Sequence, residues 1–161
     1  MKRLTTFFLS LFGVGFISGI EGTLASILSI PIILQIYPLL PSSQPERFLL
    51  YGCIFLVLMV FGTVAISHCS RAPKDNVDQS FIVLDEMVGM MVALLPMMMT
   101  GQFVWYTPVI ALGLFRFFDI VKPLGIGAID RKNTPLSVMM DDVLAGAYSA
   151  AILLFLIKSM Q

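Results

Sequence analysis

The sequence predicts an all-α fold, a polytopic integral membrane helical bundle of about four to five transmembrane helices with a short N-terminal interfacial or re-entrant helix. Three observations carry that reading. The 161 residues are 58% hydrophobic and only 12% charged, where soluble domains carry about 25% charged residues. Mean hydropathy is +0.93. The apolar residues also fall into runs comparable to the roughly 20 residues of helix that cross a bilayer. The length suits one membrane-embedded domain over residues 1–161. The formal net charge is zero, which implies no overall attraction to nucleic acid, and no obligatory protein partner is evident.

Lys2 and Arg3 open the chain, and an apolar run follows from Phe7 to Ile20. At about 14 residues it is short for a crossing. Gly13, Gly15, Gly19 and Gly22 loosen it further. A basic start and a short apolar run also describe a secretory signal, but no A-x-A-like site follows, and Glu21-Gly22-Thr23 leads directly into more apolar sequence. Leu24 to about Leu40 is the first full crossing, with a kink expected at Pro31. Pro38, Pro41, Ser42, Ser43 and Pro45 form a loop, and Phe48 to Ser67 is the clearest transmembrane helix.

A polar loop, His68 to Ser80, carries Arg71, Lys74, Asp75 and Asp78. From Met87 to Phe115 no residue is charged, a stretch too long for one ordinary crossing and short for two. Thr100-Gly101-Gln102 offers a turn, so a tight helical hairpin is expected. Its limbs reach full length only if they include Asp85-Glu86 at one end and Arg116 and Asp119 at the other. Val138 to Ile157 forms the last helix, with Asp141-Asp142 about one turn inside its start. Lys and Arg gather at the N-terminus and in the 68–80 and 122–132 loops, which the hairpin puts on one, cytoplasmic, side, leaving Lys158 on the other.

Phe115 to Gly146 concentrates eight of the chain's twenty Lys, Arg, Asp and Glu residues. Acidic residues at membrane depth are costly and point to function. Asp85-Glu86, Asp119 and Asp141-Asp142 offer carboxylate oxygens without a His or Cys partner, which suits a hard divalent cation such as Mg²⁺. Adjacent acids on a helix point about 100° apart, so each pair can face two neighbours. Arg116 and Asp119 share a helix face. Pro123 ends that helix near Lys122, which is then free to swing toward the same pocket. A guanidinium, an ammonium and a carboxylate-held metal at headgroup depth make a phosphate site. Asp130, Arg131 and Lys132 read as a solvated loop, and the methionines as packing or lipid-facing residues. His68 is the single histidine, and Cys53 and Cys69 lack metal-ligand spacing.

Four motifs resemble the phosphatidylglycerophosphatase A family. They are F-G-x-G ending in G-T-x-x-S (Phe12 to Ser26), D-x6-D-E-x2-G (Asp78 to Gly89), F-R-x2-D-x2-K-P (Phe115 to Pro123) and D-D-x2-A-G (Asp141 to Gly146). They stand in the family's order and extend over most of the chain. The resemblance implies a Mg²⁺-dependent enzyme of the bacterial inner membrane, multi-pass with its active site on the cytoplasmic face, that converts phosphatidylglycerophosphate to phosphatidylglycerol. A phospholipid in the membrane is then the substrate. On this reading Asp85, Glu86, Asp141 and Asp142 supply metal ligands, and Asp119 is a ligand or general base. Arg116 and Lys122 hold the phosphate, and Thr23 with the Gly22 backbone contacts the headgroup. Direct attack by water activated at the metal is expected, since no Cys or His signature points to a covalent intermediate. The departures fall in loops: Ser18 and Glu21 before Gly22-Thr23, Ala25 for a glycine, Gly125 for a proline, and Thr134-Pro135-Leu136-Ser137 for a glycine-rich approach.

Competing classes leave other marks. A CDP-alcohol phosphotransferase needs D-G-x2-A-R, and a haloacid-dehalogenase phosphatase needs D-x-D beside a Rossmann core; neither pattern is present. A small transporter or channel using intramembrane carboxylates predicts midplane acids and broken helices in repeated halves.

Overall fold

A computed structural model describes residues 2–69, 77–100 and 104–159, and among these every regular element is helical. The order is α1 (Lys2–Leu9), α2 (Glu21–Ile36), α3 (Gln44–Cys69), α4 (Leu84–Ala93), α5 (Leu95–Thr100), α6 (Tyr106–Val121), α7 (Ile126–Asp130) and α8 (Pro135–Ser159). Three stretches are long and apolar enough to cross a membrane: Glu21–Leu39, Gln44–Cys69 and Pro135–Ser159. The limbs α4–α5 and α6 are shorter.

The N-terminal run is not one helix. α1 stops at Leu9, and the chain then turns through Leu11, Phe12, Gly13 and Gly19, all with positive φ, around a short 3₁₀ turn at Val14–Phe16. Glycine tolerates that geometry cheaply. Gly15 lies so close to the Phe81 carbonyl that a Cβ there would overlap it, and Val83 N–H donates to the Leu9 carbonyl at 2.9 Å. The segment is thereby docked onto the loop that leads into α4, while Phe7, Phe8, Phe12, Phe16, Ile17 and Ile20 stay exposed as an apolar fringe.

α2 starts at Glu21, three residues before the expected crossing, so Gly22 and Thr23 belong to its first turn. Pro31 is accommodated inside it. Buried Ser26 and Ser29 satisfy themselves on the Gly22 and Ala25 carbonyls, both at 2.7 Å. At the far end, Arg47 bonds the Pro41 carbonyl at 3.0 Å and the Tyr37 hydroxyl at 2.7 Å, pinning the turn into α3.

α4 is buried on nearly every side, and after Asp85 and Glu86 in its first turn its sequence is apolar all round. It breaks at Leu94, just before Pro96, whose ring cannot continue the hydrogen-bond ladder. The turn expected at Thr100-Gly101-Gln102 lies largely outside the described residues. α6 nevertheless returns antiparallel, because its C-terminal Arg116 and Asp119 face the same pocket as Asp85 and Glu86 at the start of α4.

α8 begins at Pro135, a residue suited to the first helical position. Thr134 and Ser137 cap the start reciprocally: Ser137 N–H donates to Thr134 Oγ1 at 3.1 Å and Thr134 N–H to Ser137 Oγ at 2.8 Å. α8 packs parallel to α4 at a glycine crossing, where a Cβ at Gly146 would overlap the Gly89 carbonyl and one at Gly89 would meet the Phe115 ring. α3 runs the opposite way, its Tyr51 hydroxyl bonded to the Met91 carbonyl at 2.8 Å and Gly62 seated against Met139. The starts of α2, α4 and α8 and the end of α6 therefore meet at one end of the bundle. The 77–83 and 122–134 connectors join there too, with Val77 N–H on Asn133 Oδ1 at 3.0 Å.

Candidate active site

At that end lies a polar pocket of about 270 Å³, lined by Gly22, Thr23, Asp85, Glu86, Arg116, Asp119, Lys122, Asp141 and Asp142 together with Glu21, Asp78 and Ser80. Every residue singled out from the sequence as a site candidate reaches it. Three helix starts contribute, and helix N-termini favour negative charge and phosphate.

The carboxylates of Asp85, Glu86 and Asp142 form the tightest group, with one oxygen from each lying within 4.8 Å of the others. Asp85 and Asp142 are buried, Glu86 partly so. Glu86 N–H donates to Asp85 Oδ1 at 3.1 Å, while Glu86 Oε2 is buried with no hydrogen-bond partner among the described residues. Three carboxylates this close, with an orphan oxygen among them, repel one another when ionised, and a cation between them relieves that repulsion. An all-oxygen donor set fits a hard divalent ion such as Mg²⁺.

Arg116 stands beside this group. Its Nη1 donates to Asp119 Oδ2 at 2.6 Å, and its Nε is buried without a partner among the described residues. Gly22 is the floor on which the two halves meet, because a Cβ there would strike Glu86 Oε1 and crowd both terminal nitrogens of Arg116. Thr23 is exposed at the rim.

Asp141 is placed differently from its neighbour. Its Oδ2 accepts from Lys122 Nζ at 2.7 Å, and the same ammonium donates to Asp130 Oδ1 at 2.7 Å. Asp141 thus turns to the connector, outside the three-carboxylate group. Lys122 caps α6 in the left-handed conformation. Burial works against its charge, but the bonds to Asp130 and Asp141 outweigh burial and hold its pKa above the ordinary lysine range. Asp78, in the loop ahead of α4, has its pKa raised by burial, with Lys122 partly offsetting this.

Sequence reasoning passed over three acids. Asp78 stood in a polar loop and within a motif, Glu21 in the turn before the first crossing and as a departure from a motif, and Asp130 in a solvated loop. The spacing of Asp78 seven residues before Asp85 was an available signal. Nothing local marked Asp130, whose role comes from folding back onto Lys122.

Residues 7–157 match the sequence profile described as Phosphatidylglycerophosphatase A. The chain belongs to that family. Among curated relatives, an Escherichia coli protein named phosphatidylglycerophosphatase A is 32% identical over 91% of this chain and 81% of its own length. A Haemophilus influenzae protein of the same name is 40% identical over 50% of this chain and 48% of its own. A Bacteroides thetaiotaomicron protein, provisionally named a phosphatidylinositol-3-phosphatase, is 37% identical over 92% of both chains. No solved structure matches. Membership of the phosphatidylglycerophosphatase A family makes the chain a membrane enzyme of the lipid phosphatase kind. The transporter reading is not favoured, since the candidate site acids collect at one end of the bundle where four helix termini meet.

Proposed function

We propose that this protein hydrolyses the terminal phosphomonoester of phosphatidylglycerophosphate, giving phosphatidylglycerol and phosphate, with Mg²⁺ as cofactor and the pocket opening on the cytoplasmic face of the bacterial inner membrane. One observation carries the reading: in a chain of this family, Arg116 with unused donors stands beside three converging carboxylates at a bundle end. That is the pairing a phosphate ester and its cation require.

Asp85, Glu86 and Asp142 are the residues that would hold Mg²⁺. When bound, the ion neutralises phosphate charge as a Lewis acid and eases deprotonation of water. Arg116 binds the non-bridging phosphate oxygens through donors that Asp119 leaves free, and opposes the charge that develops on them during phosphoryl transfer. Asp119 fixes the guanidinium and, lining the same pocket, takes the proton released when water's oxygen bonds phosphorus. The ester P–O bond breaks and the departing glycerol oxygen takes up the proton that Asp119 accepted. Gly22 lets the guanidinium and Glu86 approach, while Thr23 meets the headgroup at the rim.

The test is phosphate release by purified protein in detergent micelles, with Mg²⁺ and with EDTA. Phosphatidylinositol 3-phosphate is run beside phosphatidylglycerophosphate, because the Bacteroides relative's name points to that lipid. Release from phosphatidylglycerophosphate that EDTA abolishes and Mg²⁺ restores is the expected result. Preferential turnover of the inositol lipid overturns the assigned substrate, and release undiminished by EDTA overturns the cofactor.

A further inference from the structure

We propose that Lys122 is a positioning residue, tying the α6–α8 connector to α8 and so aiming Asp142 at Asp85 and Glu86, and that it does not hold the substrate phosphate. The inference rests on the reading of the pocket given above.

An ammonium has three donors, and Lys122 spends two on Asp130 and Asp141, each at 2.7 Å. Both acceptors are carboxylates, and such charge-assisted bonds are the strong ones. Drawing Nζ away to a phosphate would leave Asp141, whose side chain is 7% exposed, unpaired beside Asp142 and facing Asp130 as a like charge. Arg116, by contrast, keeps a buried Nε without a partner among the described residues.

The backbone of Lys122 is committed as well. It sits at φ 48° and ψ 47°, a conformation that costs a non-glycine residue free energy and persists only where its surroundings enforce it. Its N–H closes α6 on the Phe118 carbonyl at 2.9 Å, and its carbonyl accepts from Gly127 N–H at 3.2 Å, winding the connector back over it. Asp130 is carried into reach by that winding. Because Asp141 and Asp142 diverge by about 100° around α8, anchoring Asp141 sets the rotation of the helix that points Asp142 into the carboxylate group.

Lys122→Met, Asp130→Asn, the double variant and Lys122→Arg test this in detergent. The measurements are kcat and KM for phosphatidylglycerophosphate, inhibition by inorganic phosphate, and the Mg²⁺ concentration that half-saturates the rise in melting temperature without substrate. Lys122→Met is expected to lower kcat roughly 10–100-fold and raise the Mg²⁺ requirement by a similar factor, the range for losing a group that orients a metal ligand. KM and phosphate inhibition stay unchanged. Asp130→Asn moves the same quantities the same way by less, the double variant is no worse than Lys122→Met, as for one network, and Lys122→Arg recovers part of the loss. A roughly tenfold rise in KM or in the phosphate inhibition constant for Lys122→Met, with an unchanged Mg²⁺ response, overturns the proposal. So does an Asp130→Asn protein that matches the wild type or gains affinity for phosphate. If the wild type releases no phosphate, the proposed reaction fails, while the Mg²⁺-dependent melting shifts of the variants still decide the role of Lys122.

Discussion

Asp141 and Asp142 are neighbours in sequence that face different partners, one a lysine and one a pair of carboxylates. That difference separates the expected outcomes of their substitution. Asp85→Asn and Asp142→Asn each remove charge from the three-carboxylate group. Phosphate release is expected to fall by at least ~10²-fold, the scale of losing one group that stabilises charge in an active site, while the protein still inserts and purifies. Asp141→Asn breaks the bond network to Lys122 and is expected to give the milder, Mg²⁺-correctable defect of Lys122→Met. Steady-state assays across a Mg²⁺ series distinguish the two classes; equal and uncorrectable losses at all three positions would return Asp141 to the ligand set. The likeness of the paired acids, and their approximate 100° divergence, was readable in the sequence. Which acid of each pair faces which neighbour was not, because that depends on how far α8 is rotated about its axis.

The elements owe their relative placement to glycine. Gly89 and Gly146 let α4 and α8 cross backbone to backbone, and both lie four residues after an acid of the carboxylate group. The crossing therefore sets the separation of Asp85 from Asp142. Gly146→Ala drives a methyl group into the Gly89 carbonyl, and overpacking of this kind costs about 1–3 kcal/mol. A lower melting temperature in detergent together with reduced phosphate release is the expected outcome, and an unchanged melting temperature would show that the helices separate freely. Most helices could be read from the sequence to within a few residues. α8 begins three residues earlier than its apolar pattern, at the Thr134–Ser137 cap and Pro135. The N-terminal apolar run breaks after Leu9, because its loops are stabilised by docking on Val83 and Phe81 rather than by local preference.

For the whole molecule, the alternation of α2, α3, α4–α5, α6 and α8 puts the pocket and the connectors at one end and the α2–α3 turn and Lys158 at the other. With Cys53 and Cys69, which are free, replaced by alanine, a cysteine at Asn133 is expected to react with an impermeant maleimide only from the cytoplasmic side of membrane vesicles. One at Ser159 is expected to react only from the opposite side. Labelling of both from the same side contradicts this arrangement. The expected sidedness rests on the preference of Lys and Arg for cytoplasmic loops.

By itself the sequence determined the class of protein, its apolar spans, the set of ionisable residues at helix ends and the family they mark, since these follow from composition, periodicity and motif order. The tertiary structure alone decided that Asp85, Glu86 and Asp142 converge, that Glu86 and Arg116 meet over Gly22, and that Lys122 is claimed by Asp130 and Asp141. Those contacts join residues up to 94 positions apart, Gly22 to Arg116, and hang on helix rotation and close backbone crossings. Neither is encoded by local spacing; both are set by which side chains can pack when all the helices come together.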